Sequence, residues 1–260
     1  MALMEVSYFS NVLGMNMTMN VIIPQQTSTQ IGMTGSAKYQ VYPTLYLLHG
    51  MSDDHSIWLR RTAIERYVSE LGIAVVMPTT HLGWYTDTAY GLKYWQHISE
   101  ELPQICREFF PRMSSKREET FVAGLSMGGY GAFKLGLGKS ETFGAAASLS
   151  GALDIATAFI PGEMGEETPF WSGIFGSLEE LKGSANDLLH VSSELVKSDR
   201  PIPRLFMWCG EQDFLFGQNQ RALKHLEKLG LEVTASFTEG DHSWVHWDEQ
   251  IQVVLNWLLP

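Results

Sequence analysis

Thr120-Phe121-Val122-Ala123-Gly124-Leu125-Ser126-Met127-Gly128-Gly129-Tyr130-Gly131-Ala132-Phe133-Lys134-Leu135 joins an apolar run that reads as a strand to a run whose small residues read as a helix pressed against a sheet. Between them lies G-x-S-x-G. The order of strand, glycine-flanked serine and helix is that of a nucleophile elbow. A serine on so sharp a turn is held in a strained backbone conformation, and side chains at 124 and 128 would collide with its neighbours, which accounts for both glycines. A bare G-x-S-x-G is a common chance match, so its weight comes from the strand before it and the helix after it.

A serine hydroxyl is a poor nucleophile near neutral pH, so the motif requires a base and an orienting acid, in the chain order Ser, Asp or Glu, His. Arg204-Leu205-Phe206-Met207-Trp208-Cys209-Gly210 reads as a buried strand running into Glu211-Gln212-Asp213-Phe214. Asp213 is the candidate acid and Glu211, on the same turn, its competitor. Val233-Thr234-Ala235-Ser236-Phe237 reads as the next strand, and the loop after it carries His242, the candidate base. Of the eight histidines, His242 has both the chain order and the post-strand loop. Asp241 adjoins it and cannot readily curl back to the imidazole.

The mechanism also needs two backbone N–H groups aimed at the tetrahedral oxygen. One is expected from Met127, after the serine. Thr44-Leu45-Tyr46-Leu47-Leu48-His49-Gly50-Met51 reads as an apolar strand ending in a tight turn, which makes Met51 N–H the second expected donor. His49 is expected to fix this loop by hydrogen bonds rather than to act in catalysis. Asp53, Asp54 and His55 are consecutive, and neighbouring side chains rarely converge on one ion, so a helix start with acidic residues complementing its N-terminal dipole is preferred to a metal site.

A chain of 260 residues is long enough for one sizeable core, and one domain is expected over 1–260. No stretch approaches the roughly 20 apolar residues needed to span a bilayer. Met1-Ala2-Leu3-Met4-Glu5-Val6 lacks a basic start and a sustained apolar run, so a cytoplasmic location is expected. A net charge of −11 without a basic run argues against nucleic acid. Two cysteines, Cys106 and Cys209, are too few for a disulfide framework and read as reduced core thiols. No metal-ligand spacing or phosphate-cradling loop occurs, so no metal or cofactor is expected; the expected partner is a small-molecule substrate, with a homo-oligomer left open.

Residues 5–10 and 15–21 alternate apolar and polar and predict an antiparallel hairpin. Residues 24–40 carry no periodicity and read as a mobile connection. A helix near 57–70, a strand at 73–78, a helical region near 92–110 interrupted or restarted at Pro103, the elbow, and a strand within 143–150 follow in a βαβ rhythm. Such alternation implies a parallel sheet covered on both faces. From 151 to 200 the rhythm breaks into short helical pieces around Pro161, Gly162, Pro169, Trp171 and Phe175, expected as a cap-like insertion over the face where strand C-termini end. The sheet resumes at 204–209, with a helix near 216–229, a strand at 232–237 and a last helix. In that helix Trp247, Ile251, Val254, Leu255 and Leu258 read as core packing.

Tyr46-Leu47-Leu48-His49-Gly50-Met51, Gly83-Trp84-Tyr85-Thr86-Asp87, Gly124 to Gly131, Trp208-Cys209-Gly210-Glu211-Gln212-Asp213-Phe214 and the His242 loop together resemble a bacterial tributyrin esterase, of the esterase D and S-formylglutathione hydrolase superfamily. The resemblance spans nearly the whole chain and departs at 24–40. It implies an α/β-hydrolase fold, a mostly parallel sheet with an N-terminal antiparallel hairpin and helices on both faces. It also implies hydrolysis of short-chain acyl esters, with Ser126, Asp213 and His242 as the triad. Related enzymes act on acetylated and feruloylated carbohydrates, so an acetylated sugar is among the implied substrates. Trp84 and Tyr85 follow a strand end on the same face and are the candidates to line an acyl or sugar pocket, ahead of Trp58 and Trp171. The alternatives are an S-formylglutathione thioester hydrolase and, from another class, a non-catalytic binding module on a hydrolase scaffold.

Overall fold

Period-two alternation over the first positions builds a hairpin of β1 (Ala2–Ser10) and β2 (Met15–Ile23), paired antiparallel from Ala2–Ile23 to Ser10–Met15. In the computed structural model, which describes residues 1–159, 164–165 and 168–259, six further strands follow. They are β3 (Thr44–Leu48), β4 (Ala74–Pro78), β5 (Thr120–Leu125), β6 (Ala145–Leu149), β7 (Arg204–Gly210) and β8 (Val233–Thr238). One sheet runs in the order β1-β2-β4-β3-β5-β6-β7-β8, with the pairs β1–β2 and β2–β4 antiparallel and every pair from β4 to β8 parallel. The elbow strand β5 therefore lies inside the sheet.

Continuous apolar runs are what a strand buried on both faces requires. Along β3, Tyr46 and Leu48 enter one apolar layer while Leu45 and Leu47 enter the other, and along β5 Val122 opposes Phe121 and Ala123 in the same way. The first layer is closed by α3 (Tyr94–Gln96), α4 (Leu102–Phe109), α5 (Met127–Gly138), α8 (Leu188–Val196) and α9 (Phe216–Lys228). The second is closed by α1 (Ile57–Arg61), α2 (Ile64–Val68) and α10 (Trp244–Leu258). Among the described residues no helix is long and apolar enough to cross a membrane.

Two expected helices are divided. The helix expected over 57–70 breaks at Thr62, whose backbone is extended at φ −134° and ψ 172°. Its hydroxyl donates to Trp58 O at 2.6 Å and accepts from Ile64 N at 3.1 Å, the local side-chain competition that ends helices at threonine. In the region expected over 92–110, a π-helical segment, His97–Glu101, separates α3 from α4. Pro103 near the start of α4 has no N–H for the preceding turn, so the wider turn falls where an α-helical bond is already missing. Glu101 Oε1 accepts from Asn11 N and Val12 N at 2.7 and 3.2 Å, tying the hairpin turn to this segment. Residues 24–41 contain no helix or strand, yet Ser36 N donates to Ser69 O at 2.9 Å and anchors the connection.

The excursion between β6 and β7 contributes α6 (Pro169–Phe175), α7 (Leu178–Leu181) and α8; Pro161 and Gly162 lie outside the described residues. It is fastened to the flank of α5. The buried Lys134 of α5 donates to Asn186 Oδ1 at 2.6 Å, Thr86 Oγ1 at 2.7 Å and Tyr85 O at 3.2 Å, while Tyr130 Oη donates to Asn186 O at 3.0 Å.

Candidate active site

Ser126 joins β5 to α5 with φ 52° and ψ −119°, a left-handed conformation that is strained for a residue with a side chain. Three features hold it there. Its N–H donates to Leu149 O at 2.9 Å, its carbonyl accepts from Tyr130 N at 3.0 Å, and α5 passes so close to β3 that a Cβ at Gly128 would lie 2.5 Å from Leu48 O and 2.6 Å from His49 O. A Cβ at Gly124 would meet the Gly128 carbonyl. Both glycines are thus required by backbone approaching backbone, where nothing can yield.

The loops after β7 and β8 are clamped to each other, Gln212 N donating to Gly240 O at 2.9 Å and Gly240 N to Gln212 Oε1 at 2.7 Å. The clamp brings Asp213 and His242 together: His242 Nδ1 lies 2.8 Å from Asp213 Oδ2 and His242 Nε2 lies 3.0 Å from Ser126 Oγ. A carboxylate only accepts, so Nδ1 carries the proton and Nε2 is left to receive the serine hydroxyl's. Asp213 is buried, and its other oxygen accepts from Leu215 N at 2.8 Å, which fixes the carboxylate plane. Glu211 is exposed, and Asp241 faces His246 at 3.6 Å. The imidazole is further confined by Phe214, with ring centroids 4.5 Å apart, and by the edge of Trp247 at 4.8 Å. Trp247 is itself held by its indole N–H donating to Ser150 Oγ at 3.2 Å.

Met127 opens α5, so its N–H has no acceptor within the helix and stands at the positive end of the helix dipole. Met51 stands on the facing loop, which is pinned from several directions. His49 Nδ1 donates to Gly50 O at 2.7 Å and its Nε2 accepts from Thr80 N at 3.0 Å. Trp58 Nε1 donates to Leu48 O at 3.0 Å and Tyr85 Oη to His49 O at 2.8 Å. Burial lowers the His49 pKa to about 4, against the smaller opposing effect of its bond to Gly50, so the ring is neutral and serves as a brace.

Ser126 and His242 open onto a cleft of about 200 Å³ walled by Met51, Asp53, Leu125, Trp244 and Trp247. The two residues expected to line it do not. Tyr85 is wholly buried, its ring filling the space left by Gly131 and its hydroxyl bracing the Met51 loop. Trp84 is buried against Tyr130, Trp171 and Phe175, in an aromatic cluster that fixes the excursion to α5. Trp58 is buried as well. The described residues that line the cleft come from the loops after β3, β5 and β8 and from α10. Asp53, Trp244 and Trp247 were not anticipated there. Trp244 and Trp247 follow His242 within five positions, a proximity that helical spacing alone assigned to the core.

The model of the putative esterase family matches residues 10–258. An acetyl esterase of Caldicellulosiruptor saccharolyticus is 31% identical over 99% of this chain and 98% of its own length. Among solved structures, the fluorophosphonate-binding serine hydrolase FphF of Staphylococcus aureus superposes with a TM-score of 0.88 at 32% identity, covering 100% of this chain and 98% of that one. The S-formylglutathione hydrolase FrmB of the same organism gives a TM-score of 0.86 at 32% identity, covering 100% and 99%. With its fold and its serine at the elbow, the chain belongs to the putative esterase family, within the esterase D and S-formylglutathione hydrolase superfamily, and is a serine hydrolase of carboxylic esters.

Proposed function

We propose that the protein hydrolyses short-chain esters, acetyl to butyryl, through an acyl-enzyme on Ser126. The observation that carries this reading is the Ser126–His242–Asp213 hydrogen-bond chain opening onto so small a cleft. Its volume of about 200 Å³ lies below the roughly 300 Å³ at which pockets for drug-sized ligands begin. Ser126 Oγ attacks the ester carbon as His242 Nε2 takes its proton, and the N–H groups of Met51 and Met127 receive the charge that develops on the carbonyl oxygen. The imidazolium, stabilised by Asp213, then protonates the departing alkoxide. Water repeats the sequence on the acyl-enzyme and restores Ser126. Side chains and backbone dipoles supply every step. In this reading residues 1–260 form one α/β-hydrolase domain with 151–200 as a cap-like flank, acting in the cytoplasm on a small molecule.

Thioester hydrolysis is the second reading, favoured by the likeness to FrmB, and the same machinery would serve it. Rates on p-nitrophenyl acetate beside S-formylglutathione separate the two. Ser126→Ala is expected to fold normally and to lose about 10⁴-fold or more in turnover, because triad members act as a unit. Activity within tenfold of wild type would overturn the assignment, as would survival of Ser126 unmodified after incubation with a fluorophosphonate.

A further inference from the structure

Asp53 stands two residues beyond Met51, half-buried, in the wall of the cleft that holds Ser126. Its neighbours in sequence are spoken for: Asp54 Oδ1 accepts from Ser56 N at 2.8 Å and Ser56 Oγ at 2.6 Å, and His55 Nδ1 meets Thr79 Oγ1 at 2.9 Å. Among the described residues the Asp53 carboxyl has no hydrogen-bond partner. Its place relative to the nucleophile follows from Gly50. A Cβ built there would meet Leu125 Cδ1 at 2.6 Å and would lie 3.4 Å from Asp53 Oδ2 and 3.7 Å from Ser126 Cβ, so carboxyl and serine both stand close around Gly50. Burial, reinforced by Asp54, pushes the Asp53 pKa up to about 6, against the opposing pull of Arg61 and Arg60. Near neutrality the group is therefore mostly charged and incompletely solvated.

A carboxylate in that condition gains from donors and repels anions. We propose that Asp53 determines which esters the site accepts, taking hydrogen bonds from hydroxyls on a neutral, hydroxyl-bearing alcohol portion and turning away substrates whose leaving group carries carboxylates. Trp244 and Trp247 supply apolar walls to the same cleft, and an apolar pocket with few polar groups is oriented chiefly by those groups. The proposal rests on the esterase reading and deepens it. It also bears on the thioester alternative, because glutathione carries two carboxylates.

The test compares kcat/KM for glycerol monoacetate, which is neutral and bears hydroxyls, with that for acetoxyacetate, which is an anion. Each is divided by the value for p-nitrophenyl acetate on the same protein, so that any general loss from a displaced Met51 loop cancels. Wild type is expected to favour the glycerol ester by about tenfold or more, the scale of a hydrogen bond to a charged group. Asp53→Asn keeps an acceptor and loses the charge, so the acetoxyacetate ratio should rise about tenfold while the glycerol ratio stays within about threefold. Asp53→Leu removes both, and the glycerol ratio should fall at least about fivefold, mainly through KM. Ratios that remain within about twofold of wild type in both variants overturn the proposal, whatever happens to the absolute rates. Failure of wild type to hydrolyse p-nitrophenyl acetate would instead overturn the esterase reading beneath it.

Discussion

Asp213 and Glu211 lie two residues apart on one turn, and the difference between them is burial. Asp213 points inward from the end of β7, with one oxygen on His242 and the other on a backbone N–H, whereas Glu211 faces solvent. Asp213→Asn should preserve the turn and favour the wrong imidazole tautomer, lowering kcat by about 10³- to 10⁴-fold, while Glu211→Gln should stay within about threefold. Steady-state kinetics on folded, purified variants decide it; greater damage from Glu211→Gln would make Glu211 the acid. Chain order and the end of a buried strand bring Ser126, Asp213 and His242 forward as candidates in the sequence, because each depends on local punctuation, and the fold sets the three within hydrogen-bond distance. The cleft walls were not legible. Trp247 sits at helical spacing from Ile251 and packs as a core residue while its edge also confines His242, and no pattern in a single sequence separates those duties.

At the scale of elements, the loop after β3 shows how a buried neutral histidine stabilises a turn. With its pKa lowered to about 4 by burial, His49 refuses a proton that the unfolded chain accepts below about 6.5. Its contribution is fully present above that value and is lost as pH falls towards 4, a difference on the order of 3 kcal/mol. Urea midpoints measured from pH 7.5 to 4.5 should therefore fall more steeply for wild type than for His49→Asn, even though the variant begins less stable. Parallel slopes would mean that His49 does not titrate in this way. The strands were legible because continuous apolar runs bounded by turns leave few alternatives. The helices over 57–70 and 92–110 were legible in place and not in continuity, since a threonine hydroxyl and a proline each redirect a few hydrogen bonds without altering hydrophobic periodicity. Trp84 and Tyr85 follow the same logic. Their position after a strand pointed to the catalytic face, and only the space vacated by Gly131 turns the tyrosine inward.

For the whole molecule, the excursion between β6 and β7 is fastened to α5 through Asn186, and the described walls of the cleft come from the loops around Ser126 and His242 and from α10. Across p-nitrophenyl esters, kcat/KM should peak between acetyl and butyryl and decline by octanoyl. Each methylene adds about 0.8 kcal/mol while space remains, and overpacking reverses the gain beyond that. A peak at decanoyl, or a jump in rate above the micelle concentration, would contradict the small cleft. The hydrogen bond between His242 and Ser126 links positions 116 residues apart, and the loop bearing His242 is held by β8 and by Trp247 of α10, the last strand and helix of the described chain. Hydrolysis is thus a late event in the life of each molecule. During refolding from urea, helix should register by circular dichroism before ester turnover returns, because local contacts form ahead of distant ones. Catalytic activity then counts finished molecules, and a titration of active Ser126 measures folding yield where a spectroscopic signal would include chains in which Ser126 and His242 have not yet met.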